Sequence, residues 1–320
     1  MKRCVCFWLL GISMLSSCYY EVAKPAIKQH VHIASDVLTV SDSLLFQSLW
    51  KFKRIDVHIH HMSIDSLSQT LKKEGLSTRI DLILFSSIED GLKLEKLGYL
   101  QTIYQEEQLP KNLLQHVSAS KKLLGFGYNP YIVMQERSDS IPIVNYADLQ
   151  KNRNWNTKSQ GHLLPFFAGV KSGFSHQKQQ LFSDWIKRFL AQETSSSDSL
   201  SNSSVSFGRY TDYVDNQKKS QIIRFPNQQQ KGVYADMMVT GIVRQARNYN
   251  VALEVLETMD YSPFLNGLTK RFNVFPSNSN TINYKGTTIS VYPISPMNLI
   301  KNYDNCRSEL NKRKKKRANL

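Results

Sequence analysis

The segment Ile55-Asp56-Val57-His58-Ile59-His60-His61 gathers three histidines and a carboxylate into one short run. If that run is a strand, alternation puts His58 and His60 on the same face, near enough to share a zinc ion. A zinc held in this way can activate water for hydrolysis. A hydrolytic barrel needs about eight βα units and further His, Asp or Lys ligands at later strand ends. The later histidines, His116, His162 and His176, fall at no convincing strand terminus.

The elements that would carry these side chains alternate between short β-rich runs and amphipathic helical stretches, the pattern of an α/β sheet with crossover helices. Val31 to Ala34 reads as a strand, and Ser41 to Trp50 as a helix with Leu44, Leu45, Leu49 and Trp50 on one face. Ile55 to His60 reads as a strand and Ile64 to Glu74 as a helix stopped by Gly75. Asp81 to Phe85 is almost wholly apolar, which suits a parallel strand covered on both sides. Ile88 to Leu97 follows as a helix capped by Gly98. Beyond Pro110 the spacing predicts strand and crossover over Leu123 to Gln135, a short helix over Tyr146 to Gln150 and a long one over Phe174 to Gln192. The serine-rich stretch from Thr194 to Ser206 has no periodicity and reads as a loop. Gly232 to Met238 reads as a strand, and Val251 to Met259 as a helix capped by Asn248 or Asn250.

The chain has 320 residues, 41% hydrophobic and 21% charged, enough for a large core and incompatible with a disordered or collagen-like polymer. Its 41 basic and 26 acidic residues give a net charge of +15. Much of that excess is the block Lys312 to Arg317, read as a disordered, self-repelling tail. The tail has neither stacking aromatics nor a recognition helix beside it, so no nucleic acid is expected as a partner.

Met1, Lys2 and Arg3 precede an apolar run from Val5 to Leu15 that is too short to span a bilayer and reads as a secretory signal peptide. The run ends in Leu15-Ser16-Ser17-Cys18, which resembles the lipobox of bacterial lipoproteins. That resemblance implies acylation of Cys18 and a tethered protein outside the cytoplasm, in the periplasm or at the cell surface. Cleavage there removes Cys4 and Cys6 and leaves Cys306 as a free thiol with no partner for an intramolecular disulfide.

Past this leader, the chain resembles the ferric-iron-binding subgroup of bacterial extracytoplasmic solute-binding proteins, the receptors of ABC importers. Ile80 to Ser87, continued by Leu94 to Gln101, resembles the family's "ADVLL…A…AGLLQP" pattern. Thr240 to Asn248 resembles "SGAGVVKHAKN", Ala252 to Leu256 resembles "AIKFLEFL", and Phe272 to Pro276 resembles "YEYPV". The resemblance implies an α/β, two-lobed periplasmic-binding-protein fold of type II-like topology, with a ligand cleft between lobes that close by hinge motion. It also implies a signal peptide over 1–17, a tether over 18–29, a first lobe over 30–123 completed by 240–305, a second lobe over 124–239 and a basic tail over 306–320. Such a receptor is a monomer and not an enzyme. Its partners are an ABC permease with its ATPase, and the membrane that holds its lipid anchor. It carries no catalytic cofactor, and ferric iron or an iron complex is its transported ligand.

Ferric iron is a hard cation that prefers anionic oxygen, and a bound metal lowers a tyrosine's pKa enough to ionise it. The family's adjacent tyrosines correspond to Tyr210 and Tyr213, with Asp212 beside them and Tyr131 as a further phenolate. Ser35, Asp36, Ser86 and Ser87 would line the first-lobe wall, with Glu89 close by. The sequence departs from the family pattern at Leu38, in place of a histidine ligand, and at Ser86 or Ser87, in place of an acidic one. Asn129 and Tyr131 stand where the family has anion-binding arginines, so a different ligand stays open. The Asp56 to His60 segment also resembles the "DxHxH" strand of amidohydrolase-type barrels, and a metal-dependent hydrolase built on it is the alternative reading.

Overall fold

The computed structural model describes residues 29–46, 49, 51, 53–103, 115–117, 119–137, 143–150, 155–157, 163–172, 179–191, 205–227, 232–259, 262–277 and 280–318. The expected signal peptide, Cys18, Trp50 and most of the serine-rich stretch lie outside these residues. No helix among the described residues is long and apolar enough to cross a membrane.

Strand β1 (Gln29–Ser35) leads through a 3-10 turn, Val40–Phe46, to β2 (Ile55–His61), helix α1 (Ile64–Glu74), β3 (Leu82–Phe85) and α2 (Ile88–Lys96). Strands β1, β2 and β3 are parallel in the order β2-β1-β3, as the alternation of strands and helices predicts. Helix α1 starts where Ser63 Oγ accepts from Ser66 N and stops at Gly75, whose φ of 53° favours glycine. Its buried Leu67 and Leu71 pack with Ala34 and Ile83.

The chain continues through β4 (Gln115–His116), β5 (Leu124–Glu136), β6 (Trp155–Asn156), α3 (Leu163–Ser172), α4 (Gln179–Ala191), β7 (Val205–Arg209), β8 (Gln221–Arg224) and β9 (Val233–Ile242). Strand β5 belongs to two neighbourhoods. Leu124 to Pro130 pairs antiparallel with β9, and Tyr131 to Gln135 pairs with β7, with β8 joining from Val133 onward. Strand β9 in turn pairs antiparallel with β3, so β5 and β9 join the first three strands to β7 and β8. Helix α2 crosses β9 closely: a Cβ on Gly91 would lie 2.7 Å from Val239 Cγ2.

Helices α5 (Tyr249–Met259) and α6 (Ser262–Arg271) then cover the other face of the first strands. Val251, Val255, Leu265 and Leu268 meet Val31, Ile33, Leu82, Leu84 and Phe126 there. Around β7 the core is aromatic, with Trp155, Phe166, Phe189 and Phe207 all fully buried. The chain ends with β10 (Phe275–Pro276), β11 (Thr281–Tyr284), β12 (Thr287–Pro293) and α7 (Pro296–Ala318).

Four expectations change. The stretch after Ser41 is a 3-10 helix over Val40–Phe46 that buries Phe46 and leaves Leu44 74% exposed, so Leu44 is not on a core face. Where strand and crossover were expected over Leu123 to Gln135, one continuous strand runs over Leu124–Glu136 despite Pro130, its halves bonding to different neighbours. Helix α3 was not foreseen. The basic block Lys312 to Arg317 continues a helix instead of forming a disordered tail. That helix is anchored by buried Leu299 and Cys306 and by Asn302 Nδ2 donating to Ala168 O at 3.5 Å. Lysine and arginine are good helix formers and sit favourably at a helix C-terminus.

Candidate functional site

Because β1 and β3 are parallel, their C-terminal ends open on the same side, the place where open α/β sheets bind ligands. Asp36 follows β1, and its carboxylate accepts from Ser86 N at 2.9 Å and Ser86 Oγ at 2.5 Å. Ser87 caps α2 by accepting from Glu89 N, which puts Glu89 and Asp90 in the first turn, where the helix dipole favours acidic groups. Ser35 is fully buried, and its hydroxyl accepts from Val37 N and Leu38 N. Ser35 therefore shapes the turn after β1 and does not line a wall.

The facing side comes from β5, β7 and β9. Asp236 stands in register with Asn129 and is 0% exposed. Its Oδ1 accepts from Met237 N at 2.8 Å and Ile88 N at 3.3 Å, tying β9 to the start of α2. Its Oδ2 lies 3.6 Å from Arg209 Nη1. Arg209 ends β7, and Asp212 Oδ2 accepts from Arg209 N at 3.2 Å while standing 3.8 Å from Arg209 Nε. Asn129 clamps the helical turn Tyr210–Tyr213 to β5, donating to Thr211 Oγ1 at 2.8 Å and accepting from Thr211 N at 3.2 Å.

Acidic groups thus gather around the start of α2. Burial, with Asp36, Glu89 and Asp236 around it, pushes the Asp90 carboxyl up to about 7, against the pull of Lys93. Burial also raises Asp236, although Arg209, Ser87 and two backbone amides oppose the shift. Carboxylates held this close repel one another unless protons or a cation intervene. The arrangement can hold a hard cation through oxygen.

The three tyrosines behave differently from one another. Tyr131 is fully buried against Phe166 and Phe207 at the base of this cluster. Burial, then the charge of Asp236, holds its phenol well above the ordinary range. Tyr213 is buried with Ile132, Met134 and Ile223, and its hydroxyl donates to Phe207 O at 3.0 Å. Tyr210 packs against the same apolar group, its ring 5.2 Å from Phe275 and 6.2 Å from Phe225, and burial pushes it up to about 12. The turn directs Asp212, but not the Tyr213 hydroxyl, to Arg209. Asp90, Arg209 and Asp236 were not foreseen. Asp236 alone had a sequence signal, as the single charge in the apolar run Val233 to Ile242.

His58 and His60 share one face of β2, as alternation predicts, and meet His30 and His32 of β1, which the sequence reading passed over. The sheet holding them mixes parallel and antiparallel strands and is not a barrel of eight βα units.

No protein-family profile and no curated protein sequence matches the chain. Solved structures do. The Trichodesmium protein IdiA (FutA), in complex with iron and citrate ligands, superimposes with a TM-score of 0.76 at 16% identity, covering 88% of this chain and 98% of that one. Ferric iron-binding protein A of Mannheimia haemolytica, in an open conformation, gives 0.74 at 18% identity over 89% of this chain and 98% of its own. The ferric binding protein of Campylobacter jejuni gives 0.73 at 16% identity over 88% and 98%. The chain has the α/β, two-lobed fold of these periplasmic binding proteins.

Proposed function

We propose that this chain is the substrate-binding lipoprotein of an ABC importer, capturing ferric iron or an iron complex outside the cytoplasmic membrane and delivering it to a permease and its ATPase. The observation that carries the reading is the group of carboxylates, Asp36, Asp90 and the fully buried Asp236, gathered around the start of α2 in a fold whose solved examples include iron-bound receptors. Hard anionic oxygens suit ferric iron, and a trivalent ion would relieve the repulsion among them. Capture, closure and release need no bond to be made or broken, so the chain has no reaction of its own.

In this reading Asp36, Ser86 and Ser87 form the first-lobe wall, and Asp212 with Arg209 forms the opposite one. The lobes are 30–123 with 240–305, and 124–239, and the long strands β5 and β9 provide the hinge. Tyr210, Tyr213 and Tyr131 become phenolate ligands only if lobe movement frees them: Tyr213 must leave the Phe207 carbonyl, and the metal must pull each phenol down. Cys18 supplies the lipid anchor.

The test is a titration of the metal-stripped protein with ferric citrate, following visible absorbance and tryptophan fluorescence together. A saturable fluorescence change supports capture with closure, and a coloured complex adds tyrosinate ligation. The absence of both responses removes ferric iron as the ligand.

A further inference from the structure

On the face of β1 and β2 opposite the core of Val31, Ile33, Ile55 and Ile59 stand His30, His32, Asp56, His58 and His60. The parallel register sets His30 beside Asp56 and His32 beside His58. Their rings stack, with centroids 5.3 Å apart for His30 and His58, 4.7 Å for His32 and His58, and 5.2 Å for His32 and His60. Strand β2 is the end of the strand order, so this face lies at a sheet edge open to solvent.

Three donor atoms converge at the outer end. His30 Nδ1 is 3.0 Å from His58 Nε2, and Asp56 Oδ2 is 3.7 Å from the first and 3.6 Å from the second. Bonds of about 2.0–2.1 Å at tetrahedral angles place neighbouring zinc ligands roughly 3.3 Å apart. The observed triangle has its edges on either side of that value. His30 and His58 face each other nitrogen to nitrogen across this triangle. A metal ion seated over it would take both nitrogens and the Asp56 carboxylate.

We propose that His30, Asp56 and His58 form a binding site for a borderline divalent transition metal of the zinc type, separate from the carboxylate cleft. Imidazole nitrogen suits zinc and its neighbours, whereas the cleft offers oxygen donors. The inner pair, His32 and His60, whose facing nitrogens are 2.9 Å apart, backs the site. Three protein ligands and an open side leave a position for water or for a donor from a second molecule.

The experiment uses the chelator-treated full chain and compares it with His30→Gln, His58→Gln and Asp56→Asn in zinc titrations by calorimetry. The wild type should bind zinc at least about tenfold more tightly than each variant. Cobalt(II) should give the wild type the intense visible bands of a tetrahedral ion. Zinc affinity unchanged in the variants overturns the site. Should a variant fail to fold by circular dichroism, the wild-type cobalt spectrum decides, and weak octahedral bands overturn it. Ferric citrate binding should be the same in all four proteins, so this site and the cleft are tested independently.

Discussion

Asp236 and Arg209 approach within 3.6 Å where β9 passes the end of β7, and both side chains are almost completely buried. Strands from the two halves of the sheet system are therefore held at the candidate cleft by an ion pair. Removing one partner of a buried pair leaves the other charge uncompensated. Arg209→Met should lower unfolding stability by about 3 kcal/mol in chemical denaturation. The double change Arg209→Met with Asp236→Asn should recover much of that loss, and a cycle without recovery would show that the two charges do not act together.

Asp90 gives the cleft a pH signature. Its folded pKa of about 7 is above the ordinary carboxylate value of 3.8. The folded state therefore holds a proton that the unfolded state has lost, and stability falls as pH rises from about 4 to 7. A cation entering the cleft expels that proton. Ferric citrate binding should release more protons at pH 6 than at pH 8, read from calorimetry in buffers of different ionisation enthalpy. Asp90→Asn should abolish the difference and flatten the stability slope.

The two tyrosines of the helical turn separate two coordination schemes. Tyr213→Phe loses the hydrogen bond to Phe207 O and should cost about 1 kcal/mol of stability. If Tyr210 and Tyr213 reach the ion on closure, the double phenylalanine variant loses the visible band of the ferric complex. A band that survives the double change excludes both as its source.

How far the sequence was legible follows from what each feature depends on. Helix α1 was readable to its ends because Ser63 and Gly75 are local signals. Helix α3 was not, because Leu163-Leu164-Pro165-Phe166-Phe167-Ala168 is apolar on every side and shows no amphipathic period. The histidine cluster needed the pairing of β1 with β2, and register across 28 residues is a tertiary property. Asp36 and Ser86 could be named because strand ends are local features. Arg209 could not, because only the pairing of β5 with both β7 and β9 brings it to Asp236. Tyr210 and Tyr213 share one helical turn, and the apolar surface under that turn, which their spacing does not show, decides where their hydroxyls go.

Gly91 ties the acidic end of α2 to β9. A methyl group there would meet Val239 Cγ2 at 2.7 Å and Leu123 Cδ2 at 3.0 Å, below ordinary carbon contact. Both neighbours are fully buried and have little room to yield. Gly91→Ala should therefore destabilise the protein by about 1–3 kcal/mol, even though alanine is the better helix former by about 1 kcal/mol. Because the same helix carries Glu89 and Asp90, lifting it off β9 also moves their carboxylates away from Asp236. The Gly91→Ala variant should bind ferric citrate more weakly than wild type under conditions where both are folded. Equal affinity and equal stability would mean that α2 shifts along the sheet without disturbing the cluster.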